Sequence, residues 1–402
     1  AGYEEGNAML KFEDFDLYHI DGLLSDEERM VRDSVRAWVR DRVLPDIEEW
    51  AWESVFPRHL VKEMGDLHLL GASFSEYDLA GLSNVAYGLI CQELELGDSG
   101  LRSFVSVQNS LVMYPILTWG TQEQKDHWIP KLGSGESIGC FGLTEPDFGS
   151  NPAAMRTRAA RKGDCWILNG EKAWITNGTI ADIAVVWART DDGIRGFLVE
   201  AGTPGFSTVD HRGKYSLRVS VTSQLVFEDC RLPEESLMPG TTGLRDPLKC
   251  LNQARYGIAW GALGSAIATF TAALDYAKSR IQFGGRPIAA HQIQQQKFVW
   301  MYNEIVKGQL LALQLGRMKD AGTMRHEAVS LAKRNNVWVA RECAKLAREI
   351  HGASGIVNEH PIMRHLMNIE SVHTYEGTHD MHTLAVGAYL TGIRSFDPPR
   401  ED

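Results

Sequence analysis

The sequence predicts three successive units: an all-α unit over residues 1–136, a small β unit over 137–240 and a helical bundle over 241–402. Three observations carry this. The first third shows capped helical periodicity. The middle is a series of short β-rich runs bounded by Gly, Asp and Pro. The remainder consists of runs of roughly 25 residues whose apolar faces are wider than a single seam. At 402 residues the chain also exceeds one ordinary core, so two or three domains are expected.

In "LLSDEERMVRDSVRAWVRDRVL" Ser25 is the expected N-cap and Glu28, three residues on, completes a capping box. Val31, Val35, Trp38 and Val39 then fall on one helical face. "SNVAYGLICQELELGDSG" and "TQEQKDHWIPKLGSG" predict two further helices. In the β unit, "CWILNGEKAWITNG" places Asn169-Gly170 between two β-rich runs, which predicts a hairpin turning there. "IADIAVVWART", "IRGFLVEAG" and "TSQLVFEDCRL" predict short strands. Beyond residue 241, "LNQARYGIAWGALGSAIATFTAALDYAKSR", "HQIQQQKFVWMYNEIVKGQLLALQLGRMKDAG" and "HEAVSLAKRNNVWVARECAKLAREIHG" predict long helices, the third ending at a C-capping Gly352.

Composition narrows the class. A formal net charge of -11 argues against a nucleic-acid binder and gives no pull toward an anionic membrane. No stretch approaches the ~20 apolar residues expected of a membrane span. The start, "AGYEEGNAMLKFEDFD", is acidic and has neither the basic flank of a signal peptide nor the Arg-rich look of a presequence. The six cysteines are scattered, with no CxxC and no zinc-ligand spacing. They are expected to be free thiols, and no metal site is expected. No GxGxxG follows a strand, so a Rossmann dinucleotide site is not readable.

Four segments within this order resemble the acyl-CoA dehydrogenase family: "CFGLTEPDFGSN" (140–151), "WITNG" (174–178), "RIQFGGRPIAAHQ" (280–292) and "TYEGTHDMH" (374–382). "ELELGDSGLRSFVSVQNSLVMYP" (93–115), "LNQARYGIAWG" (251–261) and the pair Tyr375-Glu376 resemble its glutaryl-CoA-oxidising branch. The resemblance implies an acyl-CoA dehydrogenase-like fold: an N-terminal all-α domain, a middle β domain and a C-terminal four-helix bundle. FAD lies in the cleft between them, and the assembly is a homotetramer.

For the flavin, the resemblance implies contacts from Phe141, Leu143 and Thr144, then from Trp174, Ile175 and Thr176, with Trp174 as a flat wall. By itself Trp174 reads equally as a hairpin core aromatic. Thr378 matches a further FAD contact. Arg280, Phe283, Gln292, Gly352 and Ala353 match positions that grip the FAD of a neighbouring subunit. Alone, Arg280 reads as a helix-end cation. "FGGRPI" is one residue longer than the family pattern, and "HGASG" replaces its adjacent glycines.

Abstraction of a proton α to a thioester needs a carboxylate in a dry site. Glu376 matches the family's catalytic base, and Gly377 allows close approach of the substrate. Arg102 and Ser106, one helical turn apart, match a pair that binds a distal carboxylate, with Ser103 beside them. Without the resemblance Arg102 is an ordinary surface arginine at a helix start. Glu95 and Tyr375 match residues lining the γ-carboxylate region, and Ser150, Arg255 and Tyr256 match positions serving the CoA portion.

The reaction implied is oxidative decarboxylation of glutaryl-CoA to crotonyl-CoA and CO2, with electrons passed to an electron-transferring flavoprotein, as in lysine and tryptophan degradation. The alternatives are a short-chain acyl-CoA dehydrogenase, an acyl-CoA oxidase using oxygen, a non-decarboxylating relative, and a flavin-binding interaction protein without catalysis. The expected compartment is the cytoplasm in a bacterium, the favoured source, or the mitochondrial matrix in a eukaryote.

Overall fold

A computed structural model describes residues 12–395; residues 1–11, which hold most of the acidic stretch at the start, and 396–402 lie outside them. The N-terminal unit contains α1 (Asp26–Trp38), α2 (Ile47–Glu53), α3 (Leu60–Asp66), α4 (Asn84–Gly97), α5 (Ser99–Ser106), α6 (Tyr114–Trp119) and α7 (Gln122–Ser134). The expected capping box is formed: Ser25 Oγ accepts from the Glu28 N–H at 3.2 Å and Glu28 Oε2 from the Ser25 N–H at 2.8 Å. Val35, Trp38 and Val39 are buried and Val31 packs at the margin of the core. Helix α4 is buried almost all round, and a π-helical stretch, Val107–Met113, joins α5 to α6.

The middle unit is a mixed sheet of β1 (Gly139–Gly142), β2 (Arg158–Lys162), β3 (Cys165–Thr176), β4 (Ile183–Thr190), β5 (Gly193–Glu200), β6 (Phe206–Asp210) and β7 (Thr222–Pro233). Their order is β1-β4-β2-β3-β7-β6, with β5 also on β4. The hairpin expected at Asn169-Gly170 is not there. Strand β3 runs straight through, and the chain turns earlier, at Gly163-Asp164, because Lys162 pairs with Cys165 and Gly163 sits at φ 66°. Asn169 instead clamps β7, accepting from the Asp229 N–H at 2.7 Å and donating to the Asp229 carboxylate at 3.2 Å. Gly170, at φ 137°, makes a bulge beside it.

The C-terminal unit contains α8 (Arg245–Ser279), α9 (Gln292–Asp320), α10 (His326–His351), α11 (Ile362–Thr374) and α12 (His379–Thr391), with a small hairpin of β8 (Ile281–Gln282) and β9 (Arg286–Pro287) after α8. Gly352 caps α10 at φ 58° as expected. Contrary to the sequence reading, α8 is long and apolar enough to cross a membrane, but 78% of its apolar window is buried inside the protein, where it forms the central helix of the core. The six cysteines are buried and free.

Helices α4 and α8 approach closely. A Cβ on Gly264 would lie 1.9 Å from the Gln92 carbonyl oxygen, and one on Gly261 2.2 Å from Glu95 Oε2. That contact places polar residues of α4 and α5 against the glycine face of α8.

Candidate active site

The nonapeptide "TYEGTHDMH" is the joint between α11 and α12. Thr378 is the N-cap of α12, its hydroxyl accepting from the Met381 N–H at 3.1 Å. Glu376 adopts φ 53°, the left-handed region that costs a non-glycine residue free energy, and Gly377 follows at φ 95°. A side chain at Gly377 would come within 2.7 Å of the His382 ring. The strain is held by two cations, one buried and one partly buried. Lys333 Nζ on α10 donates to the carbonyls of Tyr375 at 2.9 Å and Gly377 at 2.7 Å. Arg255 Nε on α8 donates to the Glu376 carbonyl at 2.7 Å. The Glu376 carboxyl is left with Oε2 buried and unpartnered. Burial raises its pKa; Arg102, Lys333 and Arg255 pull the other way.

Arg102 is fully buried, so the surface-arginine alternative fails. Its Nε donates to Glu95 Oε2 at 2.6 Å, and one terminal nitrogen donates to the Tyr375 hydroxyl, while the other, Nη1, has no partner. Ser99 Oγ donates to Glu95 Oε1 at 2.9 Å. Burial works against the guanidinium's charge, but Glu95, Tyr375 and Glu376 more than restore it. Ser106 Oγ is likewise buried without a partner. Arg102 and Ser106 face Gly261 and Gly257, one turn apart on α8: a Cβ at Gly261 would lie 3.0 Å from Arg102 Nε, and one at Gly257 3.8 Å from Ser106 Oγ. Ser103 is buried on the same helix. The result is a buried polar cluster with two unspent hydrogen-bonding groups, Arg102 Nη1 and Ser106 Oγ.

A second bulge in β3, between Lys172 and Ile175, turns Trp174 to φ 61° and leaves its indole 64% exposed, stacked on His211 at 4.8 Å. It is therefore not a core aromatic. The side chains of Phe141, Leu143 and Ile175 are buried in the core, so what they can offer a ligand is backbone. Among the described residues the Thr144 and Thr176 hydroxyls, both partly exposed, take no hydrogen-bond partner. An exposed indole face with two free hydroxyls nearby suits a flat ring with a polar rim, such as an isoalloxazine.

The acyl-CoA dehydrogenase N-terminal, middle and C-terminal domain families match residues 25–136, 140–230 and 241–391. The chain belongs to the acyl-CoA dehydrogenase family. It is an oxidoreductase whose cofactor is FAD. A crystal structure of glutaryl-CoA dehydrogenase from Mycobacterium smegmatis superposes with a TM-score of 0.94 at 57% identity, over 95% of this chain and 99% of that one. Another from the same organism, in complex with FADH2, gives 0.93 at 51% identity over 95% and 98%. The human mitochondrial short-chain specific acyl-CoA dehydrogenase is 35% identical over 93% of this chain and 92% of its own.

The five residues matched to a neighbouring subunit's flavin lie apart from Glu376. Arg280 ends α8, 25 residues beyond Arg255, or roughly 37 Å along the helix at about 1.5 Å per residue. Phe283, 84% exposed at the β8–β9 turn, lies near it, as do the exposed Gln292, Gly352 and Ala353. Ser150 is exposed on the loop after β1. Tyr256 does not face an open channel: it is wholly buried, donating to the Asn84 carbonyl at 2.6 Å.

Sequence reasoning missed three supports. Lys333 looks like any lysine on an amphipathic helix. Lys172, fully buried, pairs with Glu145 at 2.9 Å and donates to the Leu143 carbonyl at 3.1 Å, fixing the loop after β1. Asp98 caps α5 and receives Arg364 at 2.9 Å and Asn368 at 2.8 Å from α11, which fixes Arg102 relative to Tyr375. Asp98 capping was readable from "LGDSG"; the cross-helix partners were not.

Proposed function

We propose that this acyl-CoA dehydrogenase oxidises and decarboxylates glutaryl-CoA to crotonyl-CoA and CO2. The observation that carries the reading is the pair of buried, unpartnered groups on α5 one helical turn apart, Arg102 Nη1 and Ser106 Oγ. A buried guanidinium edge without an acceptor is costly, and a distal carboxylate on the acyl chain would fill it. Glu95 already neutralises much of the arginine, so it keeps Arg102 buried and charged when no substrate is bound.

In this reading Glu376, desolvated and more basic than an ordinary carboxylate, takes the α-proton of the thioester. The bound FAD supplies the acceptor for the β-hydride. Thr144, Thr176 and the face of Trp174 would hold the flavin, with Thr378, the N-cap of α12, as a further contact. The distal carboxylate, aligned by Arg102 and Ser106, leaves as CO2. Protonated Glu376 then returns its proton to the remaining dienolate. Arg280, Phe283, Gln292, Gly352 and Ala353, exposed and far from Glu376, serve the flavin of a neighbouring subunit in a homotetramer. Ser150 and Arg255 border the CoA portion. Electrons leave to an electron-transferring flavoprotein, in a bacterial cytoplasm.

A second reading, oxidation of an unsubstituted short-chain acyl-CoA, is favoured by the 35% identity to short-chain enzymes. Incubation with glutaryl-CoA and an artificial electron acceptor separates the two. Crotonyl-CoA with stoichiometric CO2 is expected. Oxidation of butyryl-CoA with no turnover of glutaryl-CoA would replace the first reading with the second, and glutaconyl-CoA as end product would remove the decarboxylation step.

A further inference from the structure

The three consecutive carbonyls of Tyr375, Glu376 and Gly377 all accept from cations, two from the buried Lys333 and one from the partly buried Arg255. Lys333 is 1% exposed and comes from α10. A lysine is costly to bury, and this one spends two of its three donors on the residues flanking Glu376. The turn it grips is a strained one, with Glu376 at φ 53°. Such a conformation persists only where its surroundings impose it.

We propose that Lys333 is a positioning residue for Glu376: its ammonium, shared between the carbonyls on either side, locks the left-handed turn that aims the carboxyl and lends it a nearby positive charge. The inference rests on Glu376 being the base. Geometry alone distinguishes Lys333 from a generic core lysine, since among the described residues it makes no ion pair with a carboxylate and its two hydrogen bonds go to the backbone of one turn.

The electrostatics fit this role. The groups facing Lys333 are Glu376 itself, Arg255, Arg102 and the imidazoles of His373, His379 and His382. Burial lowers the lysine pKa and Glu376 raises it again, whereas Arg255 and Arg102 lower it. Burial also keeps His382 neutral, with a pKa pushed down to about 3, so this imidazole does not compete for the role of cation. In return Lys333 lowers the pKa of Glu376 against the rise from burial.

The test uses FAD-loaded Lys333→Met beside wild type and Glu376→Gln. Flavin reduction by saturating glutaryl-CoA is followed by stopped flow, glutaryl-CoA binding by titration, and the Glu376 carboxyl by the infrared C=O band that disappears in Glu376→Gln. Lys333→Met should reduce its flavin at least ~100-fold more slowly while binding glutaryl-CoA within about threefold of wild type. The Glu376 titration midpoint should move upward by about half a pH unit or more, because a positive charge has gone. A simple packing role would leave that midpoint in place. A reduction rate within about threefold of wild type, or an unmoved midpoint, overturns the inference. Should Lys333→Met not fold, Lys333→Gln, which keeps one N–H donor without charge, takes its place with the same two outcomes. If Glu376→Gln reduces its flavin at the wild-type rate, the base assignment fails and the inference with it. If only the Lys333 variants behave as wild type, the inference fails alone.

Discussion

Two sets of cations in this molecule behave in opposite ways. Arg102 and Lys333 are buried and Arg255 partly buried; they come from three different helices and, apart from an Arg255 bond to Asn252, spend their donors on one short turn and its neighbour Glu95. Arg280 stands exposed at the far end of α8 beside the exposed Phe283 and Gln292. The buried set must satisfy itself within the chain, because an unpartnered buried charge is costly. The turn it holds therefore takes all of its carbonyl partners from within one chain. Nothing internal obliges the exposed set to bond, so its role is decided by what approaches it from outside.

Substitutions sharpen that contrast, and the base comes first. Glu376→Gln keeps the shape of the turn but cannot accept a proton, so flavin reduction should fall by about 10²–10⁴-fold while FAD is retained; stopped-flow absorbance measures it. In wild type the rate should rise with pH through a midpoint above the ordinary carboxylate range, since burial raises the Glu376 pKa and only the ionised form acts as base. A midpoint at or below that range would mean that the cations outweigh burial.

Arg102→Met should be next in size. It leaves the substrate's distal carboxylate without its partner, which costs on the order of 2–5 kcal/mol, or tens- to thousands-fold in kcat/KM for glutaryl-CoA. Butyryl-CoA has no such group and should lose little. A ratio of the two kcat/KM values unchanged within about threefold would detach Arg102 from substrate reading. Arg280→Ala, at the other end of α8, should leave that ratio unchanged and lower only FAD retention.

Gly261→Ala tests the packing beneath the pair. The new Cβ would sit 2.2 Å from Glu95 Oε2, so the Glu95–Arg102 bond must shift. Overpacking of this kind costs about 1–3 kcal/mol, read from a urea midpoint. The smallest effect on stability belongs to Trp174→Gly. The indole is largely exposed and the backbone left-handed, which glycine tolerates. The urea midpoint of the apoprotein should move by less than about 0.5 kcal/mol equivalent, whereas the flavin-to-protein absorbance ratio should fall. Full occupancy would leave Trp174 without a cofactor role.

Local signals in the sequence were enough for much of this. The Ser25–Glu28 box, the Gly352 cap and the long helices beyond residue 241 follow from propensity, capping and periodicity over a few neighbouring residues. Glu376 and Arg102 become candidates through the resemblance of their motifs to the acyl-CoA dehydrogenase family; local signals alone read them as a loop glutamate and a surface arginine. Asn169-Gly170 shows the limit of that reasoning: the dipeptide favours a turn, yet pairing with β7 along the full length of β3 outweighs it, and Asn169 becomes a cross-strand clamp. The burial of Arg102, its partner Glu95, and the grip of Lys333 and Arg255 on the Glu376 turn could be decided only by tertiary structure. Each joins residues from different elements, 42 to 121 positions apart for the contacts made by Lys333 and Arg255. No local pattern encodes which carbonyl a distant cation will meet; that is fixed when α8, α10 and α11 pack and every buried charge must find a partner.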